Sequence, residues 1–126
     1  MAEFLCTRKL RVEGVEQEVV VCLGKPEQRS EREFVCPFQV TGIGNSELQY
    51  AHGVDSFQAL ILALEGIRVT LEKGGQSCTW IGEEGDHGFP RYVPSFFGLE
   101  FSNRLGQIIE SEIASFAGRS IQGGVP

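Results

Sequence analysis

The sequence has 126 residues, enough to bury a core without disulfides or metal, and one domain over 1–120 with a flexible tail at 121–126 is expected. Apolar residues at 41% and charged residues at 22% exclude intrinsic disorder. Eleven basic against 17 acidic residues leave a net charge of -6, which repels phosphate backbones and argues against nucleic acid as a partner. The same charge suits a basic protein partner, or simple solubility.

Arg8, Lys9 and Arg11 stand among the first thirty residues, and the longest apolar run there, 19–23, is too short for a signal-peptide core. No segment approaches the roughly 20 apolar residues that span a bilayer, so a cytoplasmic protein that does not enter membranes is expected. Cys6, Cys22, Cys36 and Cys78 are widely spaced, without a CxxC pair or a neighbouring His in zinc spacing. They read as reduced thiols packed as small hydrophobes.

In chain order, Phe4, Cys6, Leu10 and Val12 alternate with polar residues, which predicts a strand with Arg8 as its one polar exception. Gly14 and Val15 suit a two-residue type II′ turn. A hairpin closed there pairs Leu10 with Val19, Arg8 with Val21 and Cys6 with Leu23, which brings two apolar faces together. The polar stretch 24–31 reads as an exposed loop. Phe34, Cys36, Phe38 and Val40 mark a third strand, at an edge or bulged at Pro37, because proline cannot donate to a ladder. A short fourth strand is expected over 47–51.

Asp55 is placed to cap a helix, with Gln58 able to return a bond. Phe57, Leu60, Ile61, Leu64, Ile67 and Leu71 form the apolar stripe of that helix, and Lys73, Gly74 and Gly75 its stop. Gly66 inside it costs about 1 kcal/mol relative to Ala, which a close approach to a strand or to the second helix would explain. A fifth strand is expected over 77–81 and a second helix over 99–117, with Phe101, Leu105, Ile108 or Ile109, Ile113 and Phe116 inward. Strands followed by helices describe an α+β domain, an antiparallel sheet of four to five strands covered on one face by two helices.

The segment 82–97 has neither helical nor strand period, and irregular connections of that length are often functional. Asp86 beside His87 offers an acid–base pair and Arg91 an anion hold, but no Ser or Cys sits in a nucleophile elbow. His52, near the capping Asp55, is a second titratable site. No HExxH, EF-hand, GxGxxG or P-loop spacing occurs, so no metal and no cofactor are expected. What remains is recognition: Trp80, Glu83, Glu84, Asp86, His87, Phe89, Arg91 and Tyr92 are the candidate binding residues, an aromatic and acidic group with no catalytic member. Their aromatics serve equally as a cover for the core.

Two runs carry a resemblance, Gly53-Val54-Asp55-Ser56-Phe57-Gln58-Ala59-Leu60 continuing through Leu62-Ala63-Leu64-Glu65-Gly66-Ile67-Arg68, and Thr79-Trp80-Ile81-Gly82 followed by Gly88-Phe89-Pro90-Arg91. They resemble a family of small uncharacterised bacterial proteins, a domain of unknown function. The resemblance implies a bacterial source and supplies no reaction, ligand or catalytic residue. The resulting expectation is a non-catalytic protein-binding domain with a basic partner, such as an immunity protein against a toxin. The alternative is a small-molecule binder or enzyme with a pocket between 82–97 and the start of the first helix. A third reading takes Gly123-Gly124 as a ubiquitin-like conjugation tail, against a plain flexible end.

Overall fold

The computed structural model describes residues 3–93 and 96–122, the last four of them by their backbone alone. They form β1 (Phe4–Val12), β2 (Glu18–Gly24), β3 (Glu27–Ser30), β4 (Glu33–Thr41), β5 (Gln49–Gly53), α1 (Ser56–Lys73), β6 (Cys78–Thr79) and α2 (Leu99–Gln122). Every strand pairing is antiparallel, which makes this an α+β fold. The chain divides into two compact units, Met1–Tyr92 with the sheet and α1, and Val93–Pro126 with α2. The readings placed on Gly123 and Gly124 lie outside the described residues.

In the first unit, the β1–β2 register is the one that apolar matching requires: Leu10 faces Val19, Arg8 faces Val21 and Cys6 faces Leu23. The turn differs from the expected one. The strands stop at Val12 and Glu18, and Val15 N–H donates to Val12 O at 3.4 Å. Gly14 (φ 80°) is then the third residue of a four-residue turn, where a type II turn needs positive φ.

The stretch expected to be a loop supplies an additional strand, β3. Phe34 and Val35 of β4 pair with β3 on one side and β5 on the other, so β3 prolongs β2 along the same edge of β4. Between the pairs Leu23–Phe38 and Glu27–Val35, residues 24–26 face residues 36 and 37. That bulge sits opposite Pro37, where β4 has no N–H to offer. The edge expectation for Pro37 is therefore wrong, and β4 itself is not bulged there, since it pairs Pro37 with Tyr50 in unbroken register; the extra residue lies in the facing stretch. The fourth expected strand lies two residues later, as β5.

Register places the even residues of β1 and β4 and the odd residues of β2 and β5 on the face that α1 covers. The core is Leu10, Val12, Val19, Val21, Leu23, Cys36, Phe38 and Val40 from the sheet, with Ala59, Ala63, Ile67 and Leu71 from α1. Asp55 caps α1 through Oδ1, which accepts from Gln58 N–H at 2.7 Å, and Gln58 Oε1 returns a bond to Val54 N–H. The buried line of the helix is rotated from the expected stripe, leaving Phe57 75% exposed and Ile61 40% exposed. Small residues decide this. A Cβ on Gly66 would lie 2.7 Å from Phe38 Cζ, so the missing side chain lets α1 settle onto β4. The close approach inferred from that glycine is therefore to a strand.

The expected fifth strand shrinks to β6, which pairs with β1 through Arg11–Thr79 and Val12–Cys78. In the second unit, α2 extends beyond its expected end. Of the residues expected to face inward there, Leu105 is half-buried and the others are exposed, Ile108 at 51% and Ile113 at 64% among them.

Candidate functional site

Beyond β6 the chain makes a small closed turn. Trp80 N–H donates to Asp86 O, Asp86 N–H to Glu83 O, and Gly85 N–H to Thr79 Oγ1 at 2.8 Å. This turn carries Glu83 and Glu84 at its exposed tip. Residues 87–92 then run back along α1 from its last turn toward its middle, marked by His87 at Glu72 and Tyr92 at Glu65.

The sequence of α1 explains why the return is fixed there. Glu65, Arg68 and Glu72 stand three and four residues apart and so share one side of the helix. Arg68, only 7% exposed, donates to both oxygens of Glu65, Nε to Oε1 at 2.8 Å and Nη2 to Oε2 at 2.6 Å. Its Nη1 donates to Glu72 Oε1 at 2.6 Å. The hydrogen bond from Arg68 holds the Glu65 carboxyl below the usual carboxylate range, against the cost of desolvation and with help from Tyr92 N–H and the charges of Arg68 and Arg91. Glu65 in turn raises the Arg68 guanidinium, mainly by the same hydrogen bond.

Both carboxylates then reach the loop. Glu65 Oε1 accepts from Tyr92 N–H at 3.1 Å. Glu72 Oε2 lies 3.2 Å from His87 Nε2, while His87 Nδ1 accepts from Phe89 N–H at 3.0 Å. With Nδ1 accepting, the ring carries its proton on Nε2 and donates it to Glu72. The two nitrogens of His87 are thus both engaged within the fold.

On the other side of the segment lies Arg8, the polar exception of β1. Its guanidinium carbon is 3.5 Å from the Trp80 ring centre and 4.7 Å from that of Phe89, and Nη1 donates to His87 O at 3.3 Å. Gly88 (φ 80°) makes room for this stack, since a Cβ there would come within 2.6 Å of Trp80 Cε3 and 2.8 Å of Arg8 Nη1.

Of the residues singled out from sequence, Trp80, His87, Phe89 and Tyr92 are gathered against β1 and α1, whereas Glu83 and Glu84 stay in solvent. Asp86 does not orient His87; its Oδ1 accepts from Gly88 N–H at 2.9 Å and closes a local turn. Arg91 is exposed beside Glu65 and lines a shallow hollow with Ile61, Leu64, Pro90 and Tyr92. His52 is on β5, 3.5 Å from Glu33 and well exposed, beyond the opposite end of α1 from Glu72 and His87. The convergence of His52 with His87, Asp86 and Arg91 expected of a pocket at the helix start does not occur.

A concave apolar site lies elsewhere. Cys6, Thr7, Arg8, Val21, Leu23, Leu64, Ile67 and Phe89 line a cavity of about 210 Å³ between β1, β2, α1 and the returning segment. Cys6 at its rim is exposed and Cys22 partly so, which corrects the expectation of four buried thiols; Cys36 and Cys78 are buried. Burial, and secondarily Cys6, pushes the Cys36 thiol up to about 11. Among the described residues no cluster of His, Cys, Asp and Glu could hold a metal ion, and no helix is long and apolar enough to cross a membrane.

Arg8 stood out in the sequence only as a polar exception in a strand, and neither it nor Glu65, Arg68 and Glu72 was expected at the site. Their signals were present: one charge on an apolar strand face, and carboxylates three residues before and four after an arginine in a helix.

A family described as a domain of unknown function, DUF6968, matches residues 6–91. Neither a curated protein nor a solved structure matches the chain significantly.

Proposed function

The chain belongs to the DUF6968 family, and we propose that it is a non-catalytic protein-binding domain that engages a basic partner through the acidic tip of 80–86. One observation supports this above others. The polar groups of His87, Glu65 and Glu72 are spent in holding the segment to α1, while no hydrogen bond or ion pair among the described residues engages the Glu83 and Glu84 carboxylates. Beside them Ile81 is 77% and Trp80 39% exposed, giving apolar anchors next to free negative charge. A rigid tip binds at lower entropic cost than a mobile one.

The specific version is a bacterial immunity protein that covers a basic toxin, where complementary charge speeds encounter. Calorimetric titration with the basic product of an adjacent gene should give a complex weakened by added salt. The double variant Glu83→Ala/Glu84→Ala should weaken it at least tenfold. Absence of any complex removes the immunity version, and undiminished binding by the double variant removes the tip as its site.

A further inference from the structure

The two arginines of the first unit that lie against its core are treated differently. Arg68 has carboxylates on two sides, whereas Arg8, half-buried at the mouth of the apolar cavity, forms no ion pair among the described residues. It rests on the faces of Trp80 and Phe89 and gives one N–H to His87 O, which leaves most of its five donors unspent. A cation set on aromatic faces keeps its charge and its planar fork, the geometry that suits a carboxylate. Besides Arg8, Thr7 and Cys6, the cavity is walled by Val21, Leu23, Leu64, Ile67 and Phe89, none of which offers a side-chain hydrogen bond.

We infer that this cavity binds a medium-chain carboxylate, with the alkyl chain between the sheet and α1 and the carboxylate on Arg8. The charge of the head group follows from the unpaired guanidinium, and the apolar tail from the walls. The length follows from the volume. A dry cavity of about 150 Å³ accepts benzene, so about 210 Å³ accommodates a chain of roughly eight carbons. The site meets the tip 80–86 only at Trp80, on whose ring Arg8 rests, and does not depend on the protein-binding reading; Phe89 belongs to its wall, and Glu83 and Glu84 do not.

Octanoate is the probe, with 1-octanol as the uncharged control, followed by NMR of the methyl groups of Val21, Leu23, Leu64 and Ile67 in the full chain. Octanoate is expected to give saturable shifts at these four residues and to slow reaction of the exposed Cys6 thiol with a maleimide. Octanol is expected to bind about tenfold more weakly, because it lacks the charged head. Arg8→Gln should abolish that preference while the cavity still takes octanol. Should Arg8→Gln not fold, Leu64→Phe, which fills the cavity and leaves Arg8 in place, should remove the shifts. Absence of saturable shifts at millimolar octanoate overturns the inference, as does octanol binding as tightly as octanoate, or a Leu64→Phe variant that binds octanoate unchanged.

Discussion

Two faces of α1 are docked by opposite means. Toward the sheet, Ala59, Ala63, Gly66, Ile67 and Leu71 pack on β4 and β5 with almost no side-chain projection at the closest point, where Gly66 meets Phe38. Toward the returning segment, Glu65 and Glu72, both held by Arg68, engage the Tyr92 backbone nitrogen and the His87 ring nitrogen through charge-assisted hydrogen bonds. The first attachment depends on shape and on area removed from water, the second on geometry and charge. The apolar face therefore carries the stability of the unit, and the charged face positions a loop at modest net gain, because paired charges near the surface return little beyond their desolvation cost.

The sharpest way to break the apolar attachment is Phe38→Ala, which leaves a cavity in a site only 5% exposed and should cost about 3–5 kcal/mol by urea unfolding. Gly88→Ala strikes the other side. Its Cβ meets Trp80 and Arg8, and its φ is positive, so a cost of about 1–3 kcal/mol is expected. The loss should be local, with 80–92 becoming cleavable by protease at concentrations that spare the sheet. Gly66→Ala should destabilise by about 0–2 kcal/mol, the net of overpacking against Phe38 and a helix-propensity gain of about 1 kcal/mol. In the Phe38→Ala background its sign should reverse, since only the propensity gain remains. A cost that persists there would mean Gly66 answers to something other than the Phe38 ring.

The charged attachment predicts a smaller effect with a pH signature. Because Glu65 is held below its ordinary range when folded, its contribution is complete above the unfolded glutamate value of about 4.3 and is lost as pH falls through the lower folded value. Glu65→Gln should thus cost about 1 kcal/mol or less at pH 7, after allowance for solvent screening, and the gap to the parent should close toward pH 3. An undiminished gap in acid would show that Glu65 acts by shape. Smallest of all is a difference in rate: a thiol reagent at pH 8 should modify exposed Cys6 well before Cys36, whose thiol is buried and pushed up to about 11, as peptide mass spectrometry would show.

Much of the fold was legible because it is local. Alternation and apolar matching gave the β1–β2 register residue by residue, and Asp55 with Gln58 marked the start of α1. The strand β3 was hidden by its composition: Glu27, Gln28, Arg29 and Ser30 are all exposed and carry no apolar period, and they are ordered by pairing with the backbone of β4 and by Arg29 lying over the Tyr50 ring at 5.5 Å. The α1 stripe was misplaced for a related reason. Counting large apolar residues favoured Phe57 and Ile61, while the helix settles by its smallest side chains, whose closeness to Phe38 is a tertiary fact. The site followed the same division. Trp80, His87 and Phe89 were found by residue type, but His87 suggested acid–base chemistry until Glu72 and Phe89 N–H were seen to occupy both its nitrogens.

By itself the sequence determined the α+β class, the hairpin, the capped helix and an acidic aromatic segment worth attention. Only the tertiary structure decided what that segment does with its groups. Periodicity and capping act within a few residues along the chain, whereas Arg8 meets Trp80 and Phe89, and Glu65 meets Tyr92, only after the sheet and α1 have closed. Charge and hydrogen-bonding partners drawn from such separations leave no period for a sequence to display.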